Sequence, residues 1–306
     1  MSPPAPSVPN AGNAAPAPPT QPTRKADLVA VATEPVDELP VGIEQRVCTL
    51  TDLTVDEDTW VTAIEVVPQH SDYTFRASVS FSDSQGCDDL GILGEVVFDY
   101  YSSNQRLELK PGHALLLPAR SYVNVHFHHS GLTATAPSTD TKLTEVRLWT
   151  LPKGERPTYR VAREIYHNLN ITVPVDAVDE AASMRAEISA DFIKPGAEII
   201  GISPELHFLG QRVTAGVIAA DGTETEYFDL QDWTIDARKD YLFDPGSYIP
   251  IQRATIHKQT CFYSNRAMDQ PRDARGMPMT PQLTTFGEHA RNEHCRMNVI
   301  YRYPIQ

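Results

Sequence analysis

Trp60-Val61-Thr62-Ala63-Ile64-Glu65-Val66-Val67 lies in the first half of the chain and ends at Pro68. The run is rich in β-branched and aromatic residues, which favour strands, and a proline follows it, where a strand interior would not tolerate one. Similar short runs occur along the rest of the chain, each bounded by Gly, Pro, Asp or Ser. No apolar 3.6-residue period persists for more than two helical turns. The pattern predicts an all-β chain.

The runs form two series on either side of a boundary segment, Leu151-Pro152-Lys153-Gly154-Glu155-Arg156-Pro157, which has the composition of a linker. The predicted strands of the first series are 60–67, 73–81, 95–101, 114–117, 122–128 and 143–151. Those of the second are 170–175, 184–192, 198–209, 212–219, 227–234, 241–243, 248–263 and 295–303. Only residues 178–184 have a faintly helical pattern. We predict two tandem jelly-roll β-sandwich domains, residues 41–152 and 157–306.

Residues 1–40 contain ten of the 25 prolines, interleaved with Ala, Ser, Asn and Thr. Such a segment buries too little apolar surface to offset the entropy lost on ordering. We therefore expect a disordered, Pro-rich tether before the first domain.

The composition of the 306 residues is that of a soluble globular protein, with 41% hydrophobic and 22% charged residues. The formal net charge of −14 argues against binding to nucleic acid or to an anionic membrane surface, because both need basic patches. No apolar run approaches the roughly 20 residues of a membrane-spanning helix. The expected partner is a small-molecule substrate, and the sequence does not indicate an oligomeric state.

The four cysteines suggest two disulfides, and the simplest pairing is one bridge per domain: Cys48 with Cys87, and Cys261 with Cys295. Four reduced, buried thiols are the alternative. The sequence begins Met1-Ser2-Pro3-Pro4, without the basic and apolar regions of a secretory leader. If the bridges form, we expect an extracytoplasmic protein, periplasmic, secreted or surface-tethered, whose leader is absent from this sequence.

Two stretches of the second domain carry metal-capable side chains. Glu205 and His207 stand at i and i+2, so on a strand they would point to the same face, and His294 lies beside Cys295. Three ligands from two distant segments can form an open metal site on a β-sandwich. The alternative for each residue is an exposed strand carboxylate or a hydrogen-bonded histidine. Nearby fallback ligands are Glu288 and His289, and the histidines that we interpret as structural are His113, His167 and His257.

Residues 163–304 resemble the copper type II, ascorbate-dependent monooxygenases. The motifs that carry the resemblance are, in order, Pro195-Gly196, the metal-capable strand that ends at Leu209-Gly210, Asp229-Leu230-Gln231-Asp232-Trp233, Tyr241, Pro245-Gly246, Cys261-Phe262-Tyr263-Ser264-Asn265, Phe286-Gly287-Glu288, Asn292-Glu293-His294-Cys295 and Tyr301-Arg302-Tyr303-Pro304. The resemblance implies two jelly-roll domains, a catalytic copper in the second, an ascorbate-like reductant and a Cys261–Cys295 bridge behind the ligand loop.

The sequence departs from the family at the ligands themselves. Glu205 occupies the place of the family's first histidine and His207 that of the second, while His294 stands where the family has a methionine. Two imidazoles and a carboxylate suit a harder divalent ion than the copper(I) favoured by a thioether, so iron(II), zinc(II), manganese(II) and copper(II) are alternatives.

The first domain resembles the family at Tyr122-Val123-Asn124-Val125-His126-Phe127, the strand that gives one histidine to the electron-transfer copper. His126 is therefore a weak candidate ligand. The expected His-His pair is missing, and only His70 falls near its place. His128 and His129 would substitute in part, but solvated or capping histidines are the stronger interpretation.

The leading hypothesis is a diverged copper monooxygenase-like protein that activates oxygen to hydroxylate a C–H bond of a small substrate. The alternative is a non-catalytic double jelly roll that binds a metal or a partner. A zinc hydrolase is a third, with Glu288 or Glu293 as the general base. The place of the family's carboxylate-binding arginine is Ser203, so Arg296 is the remaining candidate for an anionic substrate. The segment 266–282 would either roof the site or form a surface loop.

Overall fold

The computed structural model describes residues 25–32, 44–69, 71, 74–84, 94–130, 143–272, 277–287, 289 and 291–305. Over these residues the chain consists of strands, two short 3-10 turns and connecting loops, so the predicted all-β, sandwich-type class is confirmed. The strands are β1 Leu28–Ala32, β2 Glu44–Thr54, β3 Thr59–Val67, β4 Thr74–Ser82, β5 Glu95–Tyr100, β6 Arg106–Glu108, β7 His113–Leu117, β8 Tyr122–Ser130, β9 Thr144–Thr150, β10 Tyr159–His167, β11 Thr172–Val173, β12 Glu180–Glu187, β13 Glu198–Glu205, β14 Gly210–Ile218, β15 Glu224–Leu230, β16 Tyr241–Leu242, β17 Ile249–Pro250, β18 Ile256–Tyr263, β19 Thr284–Thr285 and β20 Arg296–Pro304. The 3-10 turns are Ile235–Ala237 and Ala267–Asp269.

Two segments differ from the sequence-based expectation. The faint helix expected at 178–184 was wrong, because Glu180–Glu187 is strand β12 and pairs antiparallel with β18. Exposure along β12 alternates from residue to residue after Ala181, which is the period of a strand. The predicted tether also ends earlier than residue 40. Leu28–Ala32 pairs with β9 as strand β1 and buries Ala30 and Ala32, whereas residues 1–24 and 33–43 lie outside the described residues.

A single long sheet runs through both halves of the molecule, here the residues up to Thr150 and those from Tyr159 onward. Its strand order is β1-β9-β3-β7-β10-β20-β13-β16, with β6 and β17 added at its sides. The halves meet where β10 pairs in parallel with β7 of the first half and antiparallel with β20 of the second. The predicted boundary segment, 151–157, is the loop between β9 and β10.

A four-stranded sheet belongs to each half: β2-β8-β4-β5 in the first and β12-β18-β14-β15 in the second. Each half also has its own hydrophobic cluster. Ile200 and Ile300, on β13 and β20, pack in the first half's cluster, while their neighbours Ile199 and Val299 pack in the second's. Because strand side chains alternate between faces, β13 and β20 serve both halves at once. One face of these two strands therefore looks toward the first half, and that face carries the candidate site.

Candidate metal centre

The structure brings Glu205, His207 and His294 together. Their ligand atoms all lie within 4.8 Å of one another. Glu205 ends β13, His207 follows two residues later, and His294 comes just before β20 begins at Arg296. Each of the three residues is only 1% exposed, and the two imidazoles stack with their centroids 4.5 Å apart. We call this group the Glu–His–His cluster.

The ring of His207 is held in one orientation. Its Nδ1 lies 2.9 Å from the carbonyl oxygen of Asn292, to which the Nδ1–H tautomer donates. Nε2 has no hydrogen-bond partner among the described residues. Burial holds the pKa of His207 well below its usual value, and the neighbouring His294 lowers it further. The ring is therefore neutral at pH 7, which is the state that a metal ligand requires.

Glu293 fixes the turn that carries His207. Its two carboxylate oxygens accept the backbone N–H groups of His207 at 2.9 Å and of Leu209 at 2.6 Å. Burial outweighs these hydrogen bonds and raises the pKa of Glu293 to about 8. Sequence reasoning named this residue as a possible general base and missed its clamping role. Nothing in the sequence signals that role, because it depends on a backbone turn some 80 residues away.

The carboxylate of Glu205 is shared with two arginines. Arg76 Nη1 lies 2.9 Å from Oε2 and 3.2 Å from Oε1, and Arg296 Nη1 lies 2.6 Å from Oε2. Arg296 Nη2 and Asn298 Nδ2 donate to Asp99 Oδ2 at 3.1 and 2.6 Å. We call these five residues the junction network, since Arg76 and Asp99 come from the first half and the others from the second.

The junction network keeps Glu205 ionised. Burial alone would raise the pKa of this carboxyl, but the positive charges of Arg76 and Arg296 hold it well below its usual value. Charged Oε1 has only the longer, 3.2 Å contact, so it is the oxygen best placed to bind an ion. Sequence reasoning proposed Arg296 for an anionic substrate, and the structure places its guanidinium against Glu205 and Asp99 instead.

The disulfide predicted behind the ligand loop is confirmed: Cys261 and Cys295 are bonded, and both are buried. It ties β18 to the residue that follows His294. Gln259 Nε2 also donates to the carbonyl oxygen of Cys295, at 2.7 Å. Cys87, the expected partner of Cys48, lies outside the described residues.

The histidines of the first half do not join the cluster. His126 and His129 are buried on β8, and His128 Nε2 contacts Glu44 Oε2 at 3.0 Å. Within the described part of the chain, the Glu–His–His cluster is the one group of three or more such side chains close enough to share an ion. The predicted residues His70 and Glu288 lie outside that part.

The remaining predicted histidines have protein contacts of their own. His289, a fallback ligand, is exposed, and its Nδ1 lies 3.3 Å from Glu44 Oε2. His113 contacts the carbonyl oxygen of Pro111. His257 is buried against Gln259 Oε1 at 3.0 Å, and burial lowers its pKa to about 4. His167 lies at the end of β10, with its ring centroid 6.0 Å from that of His294.

The segment 266–282 lies next to the cluster's turn. Gln270, Pro271 and Met279 line a small pocket together with Leu209 and Glu293. Its base is tied to the fold, since Asn265 Nδ2 donates to the carbonyl oxygens of Val173 at 3.0 Å and Gln282 at 2.9 Å. The described part of the segment therefore lies beside the turn after His207. Residues 273–276 lie outside the described residues.

Comparison with known proteins gives no family for this chain. No family model and no curated protein matches it. Among solved structures it is similar to that of the Gx strain of infectious bursal disease virus, with 12% identity over 94% of this chain and 74% of the other, at a TM-score of 0.25. The Gt strain structure gives 12% identity over 94% and 75%, at a TM-score of 0.18. Likenesses this distant support no functional argument.

A search for membrane-spanning helices among the described residues found none of sufficient length and hydropathy.

Proposed function

We propose that this protein binds one divalent transition-metal ion through Glu205 Oε1, His207 Nε2 and a ring nitrogen of His294. The observation that carries the proposal is that three ligand atoms of suitable type lie within 4.8 Å of one another. The tautomer of His207 supports it, since Nδ1 faces Asn292 and leaves Nε2 for an ion. Two imidazoles and a carboxylate suit copper(II), iron(II) or zinc(II).

Of the two uses for such an ion, the non-catalytic one has more support. All three ligand residues are 1% exposed, whereas a catalytic metal needs a coordination position that a substrate can reach. Arg76 and Arg296 also compete for the Glu205 carboxylate. We therefore favour a double β-sandwich protein in which the metal fastens the ligand loop to β13.

Copper monooxygenase-like chemistry is the second candidate. It is favoured by the set of two imidazoles and one carboxylate, and by the disulfide behind His294. When bound with an ascorbate-like reductant, the metal would supply the oxygen activation needed for C–H hydroxylation. The protein's own residues would orient the ligands, with Glu293 and Asn292 holding the turn and the ring of His207. The Cys261–Cys295 disulfide also supports an extracytoplasmic location for either function.

Metal analysis of the purified full chain tests the binding proposal. We expect one metal per chain in the wild type, its loss in Glu205→Ala/His207→Ala, and its retention in His113→Ala, which removes a buried histidine of β7 outside the cluster. Absence of metal above background in all three, after incubation with copper, iron and zinc salts, would overturn it. Oxygen uptake with ascorbate then separates the two uses. Uptake that exceeds the free-metal background and disappears in the double variant supports the enzyme, and background uptake supports the non-catalytic protein.

A further inference from the structure

Arg238 spans the two halves beside the junction network. It follows the 3-10 turn Ile235–Ala237 in the second half and is 4% exposed. Its guanidinium carbon lies 4.0 Å from the ring centroid of Phe75 and 4.5 Å from that of Tyr101, both in the first half. The Phe75 ring is in turn 5.6 Å from the ring of His207. Arg238 is therefore a neighbour of the Glu–His–His cluster.

The positive charge of Arg238 has no ion-pair partner among the described residues. Nε donates to the carbonyl oxygen of Ile235 at 3.0 Å, but no described acidic side chain forms a salt bridge with the guanidinium. Nη1 is buried without a hydrogen-bond partner among the described residues. Stacking on two aromatic rings recovers part of the cost of burying the cation. An unpaired buried charge remains expensive, so this guanidinium favours a nearby anion.

A second buried donor lies at the same place. The hydroxyl of Tyr101 also lacks a hydrogen-bond partner in the described part of the chain, and the residue is fully buried. The charges of the neighbouring side chains also favour an anion. Among the described buried side chains, Arg76, Arg296 and Arg238 face two carboxylates, Asp99 and Glu205, while Asp236, which also acts on Arg238, is exposed. One buried positive charge is therefore in excess even without a metal.

We propose that the junction of the halves beside the Glu–His–His cluster binds a small oxyanion, a carboxylate or phosphate group, through Arg238 and the hydroxyl of Tyr101. Both side chains supply hydrogen-bond donors, and guanidinium groups match the geometry of carboxylate and phosphate oxygens. Arg76 and Arg296 already form ion pairs with Glu205, so Arg238 is the arginine that would bind the anion. A single negative charge would neutralise the excess, and the site does not require that the metal proposal be correct.

Titration of the metal-free full chain tests this proposal. After chelation, inorganic phosphate, acetate and chloride are added at constant ionic strength, and binding is followed by calorimetry and by the thermal midpoint. We expect phosphate or acetate to bind and raise the midpoint, and chloride to have a smaller effect. Tyr101→Phe should weaken oxyanion binding about tenfold or more, since a hydrogen bond to a charged group is lost.

Tyr101→Phe suits the test because it removes only an unpartnered hydroxyl and keeps the ring under Arg238, so the fold should be retained. The matched control is Tyr248→Phe, whose ring stacks on Arg302 at 4.2 Å, because that arginine is already paired with Glu198. The control should bind oxyanions as the wild type does, and Arg238→Gln should not bind them. Equal affinity in Tyr101→Phe and wild type, or no oxyanion binding by the wild type, would overturn the proposal.

Discussion

Arg76 Nη1 lies 2.9 Å from Glu205 Oε2, and this ion pair joins side chains that are 6% and 1% exposed. The two residues are separated by 129 positions, one on β4 of the first half and the other at the end of β13 in the second. The carboxylate of the Glu–His–His cluster is therefore also a fastening between the halves. Any ion bound there must share Glu205 with the junction network.

We expect Arg76→Ala to lower the free energy of unfolding by about 3–5 kcal/mol, because it leaves the buried Glu205 with one arginine fewer. Urea denaturation measures the effect. Arg212→Ala is the control. The pair of Arg212 with Asp229, at 2.7 Å, is partly exposed to solvent, so this substitution should cost about 1 kcal/mol or less. Arg76→Met/Glu205→Leu removes both charges and should recover much of the loss. An Arg76→Ala cost no larger than that of the control would show that the pair does not hold the halves together.

Metal affinity should increase when Arg76 no longer competes for the carboxylate. Arg76→Met removes from Glu205 one charged hydrogen bond, worth about 1.5–3 kcal/mol. We therefore expect this variant to bind the metal about tenfold more tightly. Competition with a chromogenic chelator measures the dissociation constant, with Arg212→Met as the control. Unchanged or weaker binding in Arg76→Met would mean that the arginine and the metal do not compete for Glu205.

The strands and the candidate ligand residues could be predicted from the sequence, because both depend on local patterns. Runs such as that from Trp60 to Val67 alternate and end at a proline, and Glu205 and His207 share a face through their i, i+2 spacing. Strand β12 was harder to predict because only Ala182 in it is buried. Its strand state comes from its long pairing with β18 rather than from its own composition.

The junction network and the Glu293 clamp could not be predicted. Each depends on which faces of distant strands meet, and the parallel pairing of β7 with β10 decides that. A sequence does not distinguish a buried arginine such as Arg76 from an exposed one, and most charged residues are exposed because burial requires a partner. The ion pairs of the site therefore depend on the contact between the two halves, which the sequence does not show.

The contribution of Glu293 to stability should fall as the pH rises from about 4.5 to 8. Its pKa rises from 4.5 to about 8 on folding, so the folded state retains a proton that the unfolded state releases over this range. The slope from this one group is up to about 1.4 kcal/mol per pH unit. Glu293→Gln does not titrate, so it should lose this pH-dependent contribution to stability. Its side-chain carbonyl oxygen can still accept one backbone hydrogen bond of the turn.

Urea denaturation at several pH values measures the Glu293 contribution as the difference between the wild type and Glu293→Gln. The difference is needed because the buried, neutral His207 gives a slope of the opposite sign as the unfolded imidazole loses its proton. Glu187→Gln, at an exposed position, should keep the wild-type profile. Parallel profiles for wild type and Glu293→Gln would contradict the prediction.

The Cys261–Cys295 disulfide should stabilise both the fold and the ligand loop. It closes a loop with a sequence separation of 34, for which the chain-entropy estimate is about 4 kcal/mol at 25 °C. We expect Cys261→Ala/Cys295→Ala to unfold at lower urea by a comparable amount and to bind metal more weakly, because His294 is the residue next to the bridge. Ser183→Ala is the control, since it removes only a hydroxyl contact with Thr260 on the neighbouring strand. If the double variant lost stability but kept wild-type metal affinity, the bridge would brace the sandwich without positioning His294, and hydrogen bonds such as those from Gln259 to Cys295 and from Tyr263 to His294 would hold the ligand loop.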